Sequence, residues 1–152
     1  MKVRDFCSKG VVTIEPQASL REAALLMRNS HVGALVVVER KGGIEQPAGI
    51  LTDRDIVVAV IAVPGARPEG IRAADAMSQP VVLAREDDNV FETVETMQRK
   101  AVRRLPVVAA DGSLRGMVTL DDVLRVLAAE LGGLAEALRW GRKRELDRRQ
   151  RL

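Results

Sequence analysis

The chain has 152 residues, 47% of them hydrophobic but only 2% aromatic, and a formal net charge of +3. That length fits one compact domain or two small ones sharing a core, filled here by aliphatic side chains. The single cysteine, Cys7, excludes an internal disulfide and a CxxC metal site and is read as a half-buried packing thiol. No apolar run reaches the ~18 residues of a membrane span. The first residues lack the apolar stretch of a signal peptide, so a cytoplasmic protein that meets no membrane is expected. The positive charge is local. Residues 139–152 hold seven basic residues (Arg139, Arg142, Lys143, Arg144, Arg148, Arg149, Arg151) against Glu145 and Asp147, which leaves the rest slightly acidic.

In chain order, residues 11–14 are a β-branched run that predicts a short strand stopped by Pro16. Ser19 stands three residues before Glu22, a capping box that opens a helix. Leu20, Ala23, Ala24 and Met27 follow at helical spacing on one face. The lone His31 falls in the next turn and, without Cys or acidic ligand spacing, reads as structural. Residues 35–38 are a continuous apolar run, which predicts a strand buried on both faces. Gly42-Gly43 is turn chemistry leading to a strand that ends at Thr52. A helix follows through Ile56, Val57, Val60 and Ile61, and Pro64, Gly65 and Pro68 break it.

The same order then begins again. Asn89 and Glu92 repeat the capping box, with Val90, Val94 and Met97 behind it. Residues 105–108 repeat the buried strand, with Pro106 expected at a strand start or an unpaired position. A strand ending at Thr119 leads to a helix through Val123, Leu124 and Leu127. Gly132-Gly133 is expected to end or kink it. A basic amphipathic segment with Leu134, Leu138, Leu146 and Leu152 closes the chain.

Shifted by seventy positions, Asp5, Ser8, Glu22, Met27, Leu35 and Val37 fall on Asp75, Ser78, Glu92, Met97, Leu105 and Val107. Gly49, Thr52 and Asp55 match Gly116, Thr119 and Asp122 after three extra residues in the first copy's loop. Such a repeat is too long for a solenoid unit and predicts two half-domains facing each other across a pseudo-twofold axis. The fold class is α/β (α+β), with two β-α-β-β-α units at residues 3–62 and 74–130. Residues 63–73 form the linker and 131–152 a basic tail. The seam between units is where a ligand pocket is expected.

Thr52 with Asp55, and Thr119 with Asp122, stand at strand-to-helix turns, where backbone N–H groups are unpaired and the helix dipole favours anions. A carboxylate there can accept both hydrogens of a ribose diol. The same spacing is also a helix-capping pattern. Recurrence in both copies, after Gly and two apolar residues, favours a binding role.

With the phrases at residues 32–38 and 102–108, these endings make the chain resemble a tandem pair of CBS domains (cystathionine-β-synthase domains, or a Bateman module) over roughly residues 3 to 130. The resemblance implies a β-α-β-β-α unit twice, adenosine ligands such as AMP, ADP, ATP or S-adenosylmethionine, and ribose contacts from Asp55 and Asp122 beside Thr52 and Thr119. It implies close backbone approach at Gly33 and Ala34, and phosphate contacts from Arg103 and Arg104, for which a solvated strand entry is the alternative. Val12, Thr13, Val82 and Leu83 would line the adenine slot. Facing repeats are expected to bring Arg103 and Arg104 to Asp55, and Gly33 and Ala34 to Asp122.

No nucleophile–base pair, phosphate-binding glycine loop or HExxH stretch is present, so no catalytic residue, metal site or required cofactor is expected. The leading expectation is a non-catalytic sensor that binds an adenosine nucleotide, forms a homodimer through its outer helices and acts on a separate regulated protein. The alternative is an interaction module with an empty cleft, acting through dimerisation and its basic tail, which could bind nucleic acid through residues 139–152.

Overall fold

In the computed structural model, which describes residues 1–149, the repeat becomes two copies of one three-stranded sheet. The first sheet contains β1 (Thr13–Ile14), β2 (Ala34–Lys41) and β3 (Ile44–Thr52); the second contains β4 (Ala84–Arg85), β5 (Arg104–Val108) and β6 (Leu114–Thr119). In both, the first strand runs parallel to the second and the second antiparallel to the third. A β-bulge interrupts both ladders at matching places, between Val37 and Val38 and between Val107 and Val108. Helices α2 (Leu20–Ser30) and α5 (Val90–Lys100) cross back over the sheets. Each starts with the expected capping box: Ser19 N–H donates to Glu22 Oε2 at 2.7 Å, and Asn89 N–H to Glu92 Oε2 at 2.7 Å. Each ends on a left-handed residue, His31 (φ 54°) and Ala101 (φ 53°), so the lone histidine is a helix terminator.

The central strands are buried as their composition requires. Leu35, Val36, Val37, Leu105 and Val107 are inaccessible to solvent. On α2, Leu20, Ala23 and Met27 reach the core, whereas Ala24 lies on the exposed side.

Two short helices were not foreseen: α1 (Val3–Phe6) and α4 (Ala73–Ala76). They cross over. Val3 is fully buried in the second unit's core, with Leu105, Val107 and Val118, while Ala73 is fully buried in the first, with Leu35, Val37 and Leu51. Val3 N–H donates to the Asp88 carbonyl at 2.8 Å, and Ser8 and Met117 exchange two backbone bonds at 2.9 Å. Ala73 N–H donates to Ala18 at 2.7 Å, and Ser78 N–H to Ile50 at 2.9 Å. Lys2 and Arg4 add ion pairs to Asp87 at 2.8 and 3.0 Å, which hold that carboxyl below the usual carboxylate range. The sequence repeats are therefore not the spatial units. Each unit takes its leading segment from the other repeat.

This crossing explains the glycine of the repeated phrase. A Cβ on Gly116 would stand 2.5 Å from the Ser8 carbonyl oxygen, and one on Gly49 2.5 Å from the Met77 sulfur and 3.0 Å from the Ser78 oxygen.

One expectation holds in its second form and another needs correction. Pro106 lies inside β5, opposite Met117 on the β6 side but outside the pairing with β4, an unpaired position there and not a strand start. In the first unit Val36 N–H donates to the Val12 carbonyl at 3.1 Å. Pro106 has no N–H to repeat that bond, so pairing in the second unit starts one residue later and leaves Leu83, the counterpart of Thr13, outside β4. Second, Gly132-Gly133 does not end the last helix. The first unit's closing helix is α3 (Asp53–Ile56) with a wider π-helical turn (Val57–Ile61), but α6 runs without interruption over Leu120–Arg149. Glycine weakens a helix through backbone entropy yet keeps its N–H, so the ladder continues. Leu152 and Arg151 lie outside the described residues.

Candidate ligand-binding site

The two strand-to-helix turns have the same construction. At the first, Thr52 N–H and Oγ1–H donate to Asp55 Oδ2 at 2.8 and 2.7 Å, and Asp55 N–H donates back to Thr52 Oγ1 at 3.3 Å. At the second, the matching distances for Thr119 and Asp122 are 2.9, 2.7 and 3.2 Å. The Thr-x-x-Asp pattern is thus a capping box in both copies. It satisfies helix N–H groups that would otherwise be orphaned. A ligand contact must therefore come from the carboxylate oxygen the cap leaves over.

That oxygen differs between copies. Asp55 is half-buried, and its Oδ1 takes part in none of the hydrogen bonds among the described residues. Asp122 is only 6% exposed, and its Oδ1 already accepts from Arg125 at 3.3 Å.

The strands place different neighbours beside each cap. Ala34 pairs with Thr52, and Asp53 N–H donates to the Gly33 carbonyl at 3.1 Å. A Cβ on Gly33 would meet Asp53 Oδ2 at 3.0 Å, so the missing side chain leaves room for that carboxylate. In the second unit Arg104 pairs with Thr119, and Leu120 N–H donates to the Arg103 carbonyl at 2.9 Å. The basic pair thus stands beside the Asp122 cap of its own unit. Ladder register within the sheet, set by the hairpin, fixes these backbone neighbours. The first cap is consequently acidic and open, through Asp53, Asp55 and Gly33. The second is flanked by Arg103, Arg104 and Arg125.

Of the expected slot residues, Thr13 is half-buried in β1 and lines a cavity of about 500 Å³ with Glu15, Val38 and Arg40, apart from the caps. Val12 and Val82 pack against the two cores, and Leu83 is exposed. Cys7 also packs against the second core, and burial pushes its thiol pKa up. Sequence reasoning missed Asp53, although its place directly after Thr52, where the second copy has Leu120, was a visible asymmetry. Among the described residues no group of three or more His, Cys, Asp or Glu side chains could hold a metal ion, and no helix is long and apolar enough to cross a membrane.

Two pseudo-symmetric α/β units, exchanging their leading segments and each closed by a Thr-x-x-Asp cap, define a tandem-repeat class. The chain belongs to the CBS domain family, whose model matches residues 3–62 and 73–129. It is 39% identical over 126 residues to an uncharacterized protein of Methanopyrus kandleri, covering 83% of this chain and 62% of that one, less than two thirds of the relative's length. Among solved structures it is similar to the CBS domain pair of protein MJ0100 in complex with 5-methylthioadenosine and S-adenosyl-L-methionine, at TM-score 0.70 and 26% identity, covering 86% of this chain and 98% of that one. It is also similar to the cytosolic domain of the Mg2+ channel MgtE in complex with ATP, at TM-score 0.69 and 28% identity, covering 82% and 48%.

Proposed function

We propose that this chain is a non-catalytic regulatory module that binds adenosine derivatives at its two caps, and that the caps prefer different ligands. The observation that carries this reading is the uncommitted Oδ1 of half-buried Asp55 at the first cap, where Asp122 Oδ1 is buried and paired. Two of the similar solved CBS pairs hold adenosine ligands, which supports the ligand class.

Electrostatics separates the two caps. Asp53 and Asp55 make the first unfavourable for phosphate and favourable for a neutral or cationic adenosine derivative, with Asp55 Oδ1 accepting from the ribose diol. Arg103 and Arg104 suit the second for a phosphate, through forked guanidinium contacts. Occupancy would bias the arrangement of the two units only by the ligand's differential affinity for their states, and a separate protein would respond to the change.

Calorimetric titration with adenosine, 5-methylthioadenosine, S-adenosylmethionine, AMP and ATP tests the reading. Asp55→Ala is expected to weaken binding of the phosphate-free ligands by about 1.5–3 kcal/mol, the range for a hydrogen bond to a charged group. Asp122→Ala should change it far less. Replacing Arg103 and Arg104 with Ala should weaken AMP and leave adenosine unchanged. Silence from all five ligands sinks the sensor reading.

A further inference from the structure

Beyond residue 127, α6 leaves the second unit, and every residue from Ala128 to Leu146 is exposed. Leu120, Leu124, Leu127, Leu131, Leu134 and Leu138 follow one another in alternating steps of four and three, the spacing of a coiled-coil seam. Nothing among the described residues covers its outer part: Leu124, Leu131, Leu134 and Leu138 are 56%, 66%, 64% and 77% exposed. A bare helix of this length is marginal in water, and Gly132 and Gly133 each weaken it further by about 1 kcal/mol. We propose that this seam packs against the same seam of a second copy of the chain, with the two helices antiparallel.

The direction follows from charge and size. Residues 120–138 carry Asp121, Asp122, Glu130 and Glu136 against Arg125, whereas 139–149 carry six basic residues against Glu145 and Asp147. A parallel pair would set two basic ends side by side; an antiparallel pair lays each along the other's acidic stretch. Reversing the helix about the point between Leu131 and Leu134 makes the seam self-complementary. Leu131 then faces Leu134 of the other copy, Leu138 faces Leu127, and Leu124 faces Gly141. On the flank, Asp121 meets Arg142, and Ala128 meets Ala135, small residues that let the backbones approach.

The test uses the full chain. Leu131→Gln, Leu134→Gln and Leu138→Gln together change only exposed side chains and should halve the mass measured by light scattering at micromolar concentration, with an unchanged circular-dichroism melt of the body. A monomeric unsubstituted protein, or an unchanged mass in the triple variant, overturns the proposal. For direction, Leu127→Cys and Leu138→Cys are made separately in a Cys7→Ser background, one with a mass tag. Cross-linking in the mixture and not in either variant alone is the antiparallel result. Cross-linking of each variant with itself overturns it.

Discussion

Gly116→Ala tests the crossed arrangement most directly. The added Cβ would lie 2.5 Å from the Ser8 carbonyl oxygen and 3.1 Å from Cys7 Sγ. Because Ser8 presents backbone there, the residue 7–8 segment must move, and both 2.9 Å bonds between Ser8 and Met117 go with it. Overpacking costs about 1–3 kcal/mol and each of the two lost backbone bonds about 1 kcal/mol, so a loss of roughly 3–5 kcal/mol is expected. For a chain of this length each kcal/mol lowers the melting temperature by about 2–4 °C, giving a drop of roughly 6–20 °C. Urea unfolding should show the loss as a lower midpoint with an unchanged slope. Gly49→Ala is the control. Its nearest clash is with the Met77 side chain, which can turn away, and the backbone oxygen of Ser78 is farther off at 3.0 Å, so its cost is smaller. Val3→Ala and Gly116→Ala act on one docked segment, so their costs should add to less than their sum. A Gly116→Ala protein within about 0.5 kcal/mol of the parent, a change no larger than a neutral surface substitution, refutes the crossed packing.

The remaining predictions are briefer. Gly132→Ala and Gly133→Ala are each expected to stabilise α6 by up to about 1 kcal/mol, since a Cβ at either position meets nothing within 4 Å; helix content by circular dichroism checks this. Glu22 is held below the usual carboxylate range by the Ser19 N–H and then its hydroxyl. A lowered folded-state pKa means its contribution is present above the unfolded-state value and fades as pH falls through the folded one. Glu22→Gln should therefore cost stability at neutral pH and flatten the decline on acidification, measured as urea midpoints between pH 7 and 3. Burial raises the Cys7 pKa, so alkylation at neutral pH should be slower than for a free thiol and speed up in Gly116→Ala, where the segment is displaced.

Local signals in this chain were legible because they close within a few residues. Ser19 with Glu22, Asn89 with Glu92 and the two Thr-x-x-Asp turns each need only one turn of backbone, and all four form. The apolar runs of β2 and β5 were legible for the same reason: burial on both faces leaves no polar alternation. Repetition at a fixed shift revealed the two units. The crossing of α1 and α4 was not legible, because Val3 and Ala73 could fill either core equally well by composition. Only the contacts with Asp88 and Ala18 decide which core each joins. Asp5 and Asp75 matched across the repeat, but their purpose emerges only as caps on Lys2 and Arg72 N–H in the exchanged helices. Likewise the sequence marked Asp55 and Asp122 as equivalents. Their difference depends on which residues the ladder and helix bring alongside, Gly33 and Asp53 at one and Arg104 and Arg125 at the other. Capping is a short-range property that sequence spacing determines; the electrostatic character of a cap belongs to its neighbours in space, and tertiary structure alone assigns those.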